Sequence, residues 1–139
     1  MARRLDAVLN YALALPSAGA RSASVGFCWG GGVSFNYSAR QSRLNAAVVY
    51  YGTPPDKDAL ARIRCPVLGL YGGNDARVTS TVADTAKTMA GLKKSYTYRI
   101  FDGAGHAFLR QQSGQDGANE KASLRAWPET IRFLKKNLE

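Results

Sequence analysis

Three side chains that could together carry out nucleophilic chemistry stand in this 139-residue sequence in the order Cys28, Asp75, His106. A thiolate attacks, an imidazole can take and return a proton near neutral pH, and a carboxylate can hold the ring in one tautomer. His106 is the single histidine, so such a base has no competitor. Around the thiol, the run Val25-Gly26-Phe27-Cys28-Trp29-Gly30-Gly31-Gly32 reads as a strand that stops at Cys28 and turns into a helix. Glycines two before and two after the cysteine fit a nucleophile elbow, in which the central residue takes strained angles and no neighbouring Cβ is tolerated. A helix beginning at Trp29 would aim its free N–H groups at the sulfur, favouring thiolate and making the Trp29 N–H the expected oxyanion donor. Singly, each residue has a plainer reading: a small buried hydrophobe for Cys28, an Asx-turn for Asp75, a loop histidine for His106. Taken together, in the order nucleophile, acid, histidine, they favour a triad.

Positioning these groups falls to elements that the hydrophobic pattern outlines. Leu5, Val8, Leu9, Ala12 and Leu13 follow helical spacing over Leu5 to Leu15, and Pro16 and Gly19 end that helix. Strands are expected at Ala23 to Phe27, Ala46 to Gly52, Pro66 to Tyr71 and Tyr96 to Phe101. Between them helices are expected from Trp29 to Ala39, within Asp56 to Arg64 and from Ser80 to Gly91. A last helix runs from Asn119 to Leu138, with Pro128 disturbing its middle. Strands alternating with helices predict an α/β fold, a mainly parallel sheet with helices on both faces. Cys28, Asp75 and His106 each then follow the C-terminal end of a strand, on the one sheet edge where ligands bind.

Composition bounds the rest. Residues 1–139 make a single domain, and 45% hydrophobic against 21% charged residues is ordinary for a globular chain. No apolar run is long enough to cross a bilayer, so no membrane partner is expected. Nineteen basic against ten acidic residues give a charge of +9, which could serve a nucleic-acid partner or draw in anionic small molecules; the basic residues are dispersed and no nucleic-acid motif accompanies them, so no nucleic-acid partner is expected and the charge mostly reflects solvated surface. Two cysteines without CxxC or metal-ligand spacing argue against a metal or disulfide framework; a cytoplasmic protein with a structural Cys65 is the simpler expectation. Arg3-Arg4, the apolar Ala7 to Leu15 and the small residues after Pro16 have the outline of a signal peptide, yet Asp6 and Asn10 interrupt the apolar part.

Gly26-Phe27-Cys28-Trp29-Gly30-Gly31, Gly72-Gly73-Asn74-Asp75 and Gly105-His106-Ala107-Phe108 resemble the cysteine elbow, acid loop and histidine loop of the dienelactone hydrolase family of α/β-hydrolases. The resemblance implies Cys28 as nucleophile, His106 as base and Asp75 as its orienter. Arg110 matches the family's arginine that holds the substrate carboxylate. The resemblance covers nearly the whole chain but only the second half of the family's domain, which implies a truncated α/β-hydrolase-like fold of about four strands. Absent with the first half are a second oxyanion donor, a glutamate that governs the resting thiol and a second substrate-binding arginine.

The expected activity is hydrolysis of small anionic esters or lactones without a cofactor. The alternative is a catalytically weak or inactive half-domain acting as a binding or assembly module. Strand 23–27, central in the family, would be left as a bare edge, which predicts a homodimer through antiparallel self-pairing unless the first helix folds over that edge.

Overall fold

The computed structural model describes residues 1–139, and its elements follow one another as α1 (Ala2–Ala14), β1 (Ala23–Phe27), α2 (Trp29–Ser38), β2 (Ala46–Tyr50), α3 (Lys57–Arg62), β3 (Val67–Gly72), α4 (Ala76–Thr79), α5 (Val82–Gly91), β4 (Tyr96–Phe101) and α6 (Ala118–Leu138). The four strands form one sheet in the order β1-β2-β3-β4, every pair parallel. Every residue of β2 and β3 is buried, as their continuous apolar runs require of strands covered on both faces. Alternate side chains divide between two cores: Ala47, Val49, Val67 and Tyr71 meet residues of α2, α3 and α5, while Val48, Tyr50, Leu68 and Leu70 meet Ala122 and Ala126 of α6. Tyr50 and Thr130 of α6 close the second core with a buried hydroxyl pair at 2.7 Å.

Several elements depart from the sequence pattern for identifiable reasons. The helix expected over Ser80–Gly91 starts only at Val82, behind the separate turn α4. The hydroxyls of Thr79 and Thr81 donate back to the carbonyls of Asp75 and Val78, the local competition that unsettles a helix at consecutive hydroxyl residues. Conversely, α6 runs through Pro128 unbroken; the proline is on the exposed face of the helix, where a backbone group freed by its ring can be hydrated. In α1, Val8 and Ala12 are exposed and only Leu9 is buried, whereas Asp6 faces the protein and accepts hydrogen bonds from Tyr37 Oη (2.8 Å) and Gln41 Nε2 (2.7 Å). Those two bonds hold the Asp6 carboxyl below its usual range.

The side-chain hydrogen bonds of α1 thus reach α2 and the turn after it, not β1. Strand β1 pairs only with β2. Val25 and Phe27, on the α6 side of the sheet beside Val48 and Tyr50, are 40% and 41% exposed.

Candidate active site

Cys28 caps the N-terminus of α2 at φ 55°, ψ −121°, a left-handed φ that a side chain tolerates only when its surroundings enforce it. Two glycines do so. A Cβ at Gly26 would lie 1.9 Å from the carbonyl oxygen of Gly30, and one at Gly31 would lie 2.4 Å from that of Tyr50. Gly30, by contrast, has open space around its missing Cβ. The steric demand after the cysteine therefore falls three residues on, where α2 crosses β2, and not two residues on as the motif suggested.

The other two loops of the constellation are tied to each other and to α6. Asn74 donates its N–H to the carbonyl of Ala104 (2.9 Å) and its side-chain amide to that of Gly103 (3.0 Å). The Gly105 N–H donates to Asn119 Oδ1 of α6 at 2.8 Å, and Ser123 Oγ to the carbonyl of Phe108 at 3.1 Å. Held this way, His106 Nε2 lies 3.0 Å from Cys28 Sγ and His106 Nδ1 lies 2.5 Å from Asp75 Oδ2. The Asp75 side chain is buried and the His106 side chain about one-third exposed. Tyr51, itself at φ 38°, sets its ring edge-on to the imidazole with centroids 5.2 Å apart, fixing the plane of the ring from a second side.

Electrostatics follow this geometry. The hydrogen bond to His106 lowers the Cys28 thiol pKa against the opposing effect of burial, helped by the Trp29 N–H aimed at the sulfur and by the charges of His106 and Arg77. Burial pulls His106 down, but its hydrogen bonds to Asp75 and Cys28 outweigh that and leave its pKa raised. Cys65, buried at the entrance to β3, has its thiol pushed up to about 11, the mark of an inert core cysteine.

A cavity of about 520 Å³ opens beside Cys28. It is lined by Trp29, Val33 and Asn36 of α2, by Arg40 just past that helix, by Leu5 of α1, and by Tyr51 and Arg77. Arg110 is exposed and does not line it. Of the expected site residues, the fold brings Cys28, Asp75 and His106 into hydrogen-bond contact, with Trp29 next to the thiol; Cys28 and Trp29 line the cavity, whereas Asp75, His106 and Arg110 do not. Tyr51 and Arg77 join the site without having been singled out in the sequence. Each stands just past a strand, at the same sheet edge as Cys28, and that position was the available signal. No group of three or more His, Cys, Asp or Glu side chains is placed to hold a metal ion, and no helix is long and apolar enough to cross a membrane.

Comparison with known proteins agrees with the fold. The family model described as "Dienelactone hydrolase family" matches residues 1–138. A protein of Saccharolobus solfataricus named as a carboxymethylenebutenolidase is 31% identical over 132 residues, covering 94% of this chain and 50% of the relative. Carboxymethylenebutenolidase 1 of Cupriavidus pinatubonensis is 31% identical over 111 residues, 78% of this chain and 47% of its own. A crystal structure described as a dienelactone hydrolase from Klebsiella pneumoniae superposes with a TM-score of 0.84 at 27% identity, over 94% of this chain and 58% of the other. The chain spans about half the length of the curated relatives it matches.

Proposed function

Since this chain belongs to the dienelactone hydrolase family, we propose that it is a thiol hydrolase of small anionic esters or lactones. The observation that carries the reading is the unbroken line from Cys28 Sγ through the His106 ring to the buried Asp75 carboxylate. In the proposed cycle the Cys28 thiolate adds to the ester carbonyl, forming a C–S bond while the developing oxyanion accepts the Trp29 N–H. The C–O bond then breaks and the imidazolium of His106 gives its proton to the departing alkoxide. Water next attacks the thioester carbon, His106 takes its proton, and the C–S bond breaks to release the acid and restore the thiolate. Asp75 keeps Nδ1 protonated, so that Nε2 is the atom that exchanges protons.

The anionic part of the proposal rests on the charge of +9 and on a cavity that carries two arginines and no carboxylate. Two free cysteines, one with a lowered pKa, suit a reducing compartment, and cytoplasmic residence is part of the proposal. The test is hydrolysis of p-nitrophenyl acetate by the chain and its variants. Cys28→Ala and His106→Ala should each abolish it, since such residues act as a unit; activity retained in both would refute the reading.

The proposed assembly is a homodimer through β1. Arg125 of α6 lies over the Phe101 ring and Glu129 pairs with Arg99, so this side of the helix faces β4. The exposed Leu124, Trp127 and Ile131 therefore point the other way, towards Val25 and Phe27 of β1. A two-fold axis perpendicular to the sheet would pair the two β1 strands antiparallel and set these stripes against each other. Light scattering after size exclusion tests it: Trp127→Asp should dissociate the dimer, and a 15.0 kDa species for the unaltered chain would refute it.

A further inference from the structure

Six basic side chains gather at the edge of the sheet opposite Cys28, where β3 and β4 begin. Two adjoining concavities of about 570 and 550 Å³ lie there and share Arg64 and Lys94. The first is also lined by Lys93 and Lys136, the second by Arg40 and Arg62, and no carboxylate lines either. None of the six is ion-paired, since the ion pairs of the chain are Arg99 with Glu129 and His106 with Asp75, and none donates a side-chain hydrogen bond. All are exposed except Lys94, which is half-buried.

Basic residues at helix C-termini have an ordinary use, compensation of the helix dipole. That use does not account for all of these. Arg40 follows α2, Arg62 ends α3, Lys93 and Lys94 follow α5, and Lys136 lies in the last turn of α6. Four helix ends supply roughly half a negative charge each, about two in all, which leaves most of the positive charge uncompensated. Lys93 moreover stands at φ 55° where the chain leaves α5, and the Lys94 N–H closes the turn on the carbonyl of Met89 at 2.8 Å. Glycine takes this left-handed position without strain; lysine there adds charge to the groove at a cost in backbone strain.

The groove passes beneath the sheet from the α6 face to the face of α2 and α3, so its charges extend over roughly 20 Å, about two helix widths. A single phosphate or carboxylate cannot reach both ends, but a chain of anions can. The lining offers little besides charge. Ile63 and Cys65 are buried, and half-buried Phe133 is its one aromatic ring, too little to stack successive bases or to anchor an apolar peptide. We propose that this groove binds a linear chain of phosphate groups of the kind found in inorganic polyphosphate, at a site separate from the one that holds Cys28.

The test is fluorescence anisotropy of an end-labelled linear polyphosphate titrated with the full chain. Binding should weaken about tenfold or more between about 50 and 200 mM salt, as several phosphate contacts release counterions. Arg64→Ala combined with Lys94→Ala removes the two charges that both concavities share and should lower affinity about tenfold, whereas Arg3→Ala combined with Arg4→Ala removes equal charge from α1 and should change it less than about twofold. Lys93→Gly should raise the urea midpoint, because the strain is relieved, while weakening binding about threefold. Absence of binding by the unaltered chain, equal losses in the two double variants, or wild-type affinity in Lys93→Gly would overturn the proposal. So would tighter binding of single-stranded DNA or of polyglutamate of matched charge. The groove lies about a strand's length, roughly 20 Å, from Cys28, so iodoacetamide should label that thiol at an unchanged rate with polyphosphate bound. Protection of Cys28 would place the polyanion in the other cavity and overturn the assignment. None of these readouts needs turnover, so their outcome is independent of the hydrolase reading.

Discussion

Replacing Gly26 by alanine should be far more damaging than replacing Gly30, although both flank Cys28 in the same motif. At Gly26 the new Cβ would meet the carbonyl oxygen of Gly30 at 1.9 Å and its carbon at 2.4 Å. Ordinary contact begins at 3.4 Å, so strand and helix must part by about 1.5 Å, and the obstacle is backbone, which cannot rotate away. The expected loss of stability is about 3 kcal/mol. A separation of that size at the elbow would also carry Cys28 Sγ off His106 Nε2, now 3.0 Å away, and misplacement of reacting groups by about 1 Å costs on the order of a hundredfold in rate. At Gly30 there is open space and a helical backbone, so alanine should cost nothing and gain up to about 1 kcal/mol from reduced freedom of the unfolded chain. Urea unfolding followed by tryptophan fluorescence, with the rate of iodoacetamide labelling of Cys28 as the functional readout, separates the two variants. A Gly26→Ala protein as stable and reactive as wild type, or a Gly30→Ala protein losing more than about 1 kcal/mol, would refute the elbow geometry.

Two further outcomes follow from the site and the core. Because the hydrogen bond to His106 lowers the Cys28 pKa and burial raises that of Cys65 to about 11, iodoacetamide at neutral pH should modify Cys28 first. His106→Ala should shift the Cys28 rate profile to higher pH, and peptide mapping of equal labelling at both cysteines would contradict this. Thr130→Val should leave the buried Tyr50 hydroxyl without its 2.7 Å partner and cost about 1–3 kcal/mol in urea unfolding, whereas pairing it with Tyr50→Phe should recover much of the loss; an additive pair would show that the hydroxyls are not coupled.

The sequence pattern carried most of the strand framework because β2 and β3 lie buried on both faces, and burial of that kind writes itself as the unbroken apolar runs at Ala46 and Val67. The approach of Cys28, Asp75 and His106 was equally readable, since a parallel sheet brings strand exits to one edge whatever the detailed packing. What escaped depends on contacts between distant segments. The requirement for Gly31 rather than Gly30 comes from the carbonyl of Tyr50, nineteen positions on. The inward face of Asp6 depends on Tyr37 and Gln41, so a residue that interrupts the apolar pattern of α1 still faces the protein. Arg77, in the short helix α4 after β3, lines the cavity and Arg110, past the histidine loop, does not, a difference that charge and spacing in the sequence do not reveal.

The central claim is that Cys28 carries the acyl group of the substrate. It is tested most directly by mixing the protein with p-nitrophenyl acetate, quenching in acid within the first turnover and locating the acetyl group by peptide mass spectrometry. The account predicts an acetyl thioester on the peptide containing Cys28, absent after acid quench of His106→Ala, and lost on further incubation of wild type as water completes the cycle. Acetyl groups confined to lysines or Cys65, or release of p-nitrophenol undiminished in Cys28→Ala, would contradict it.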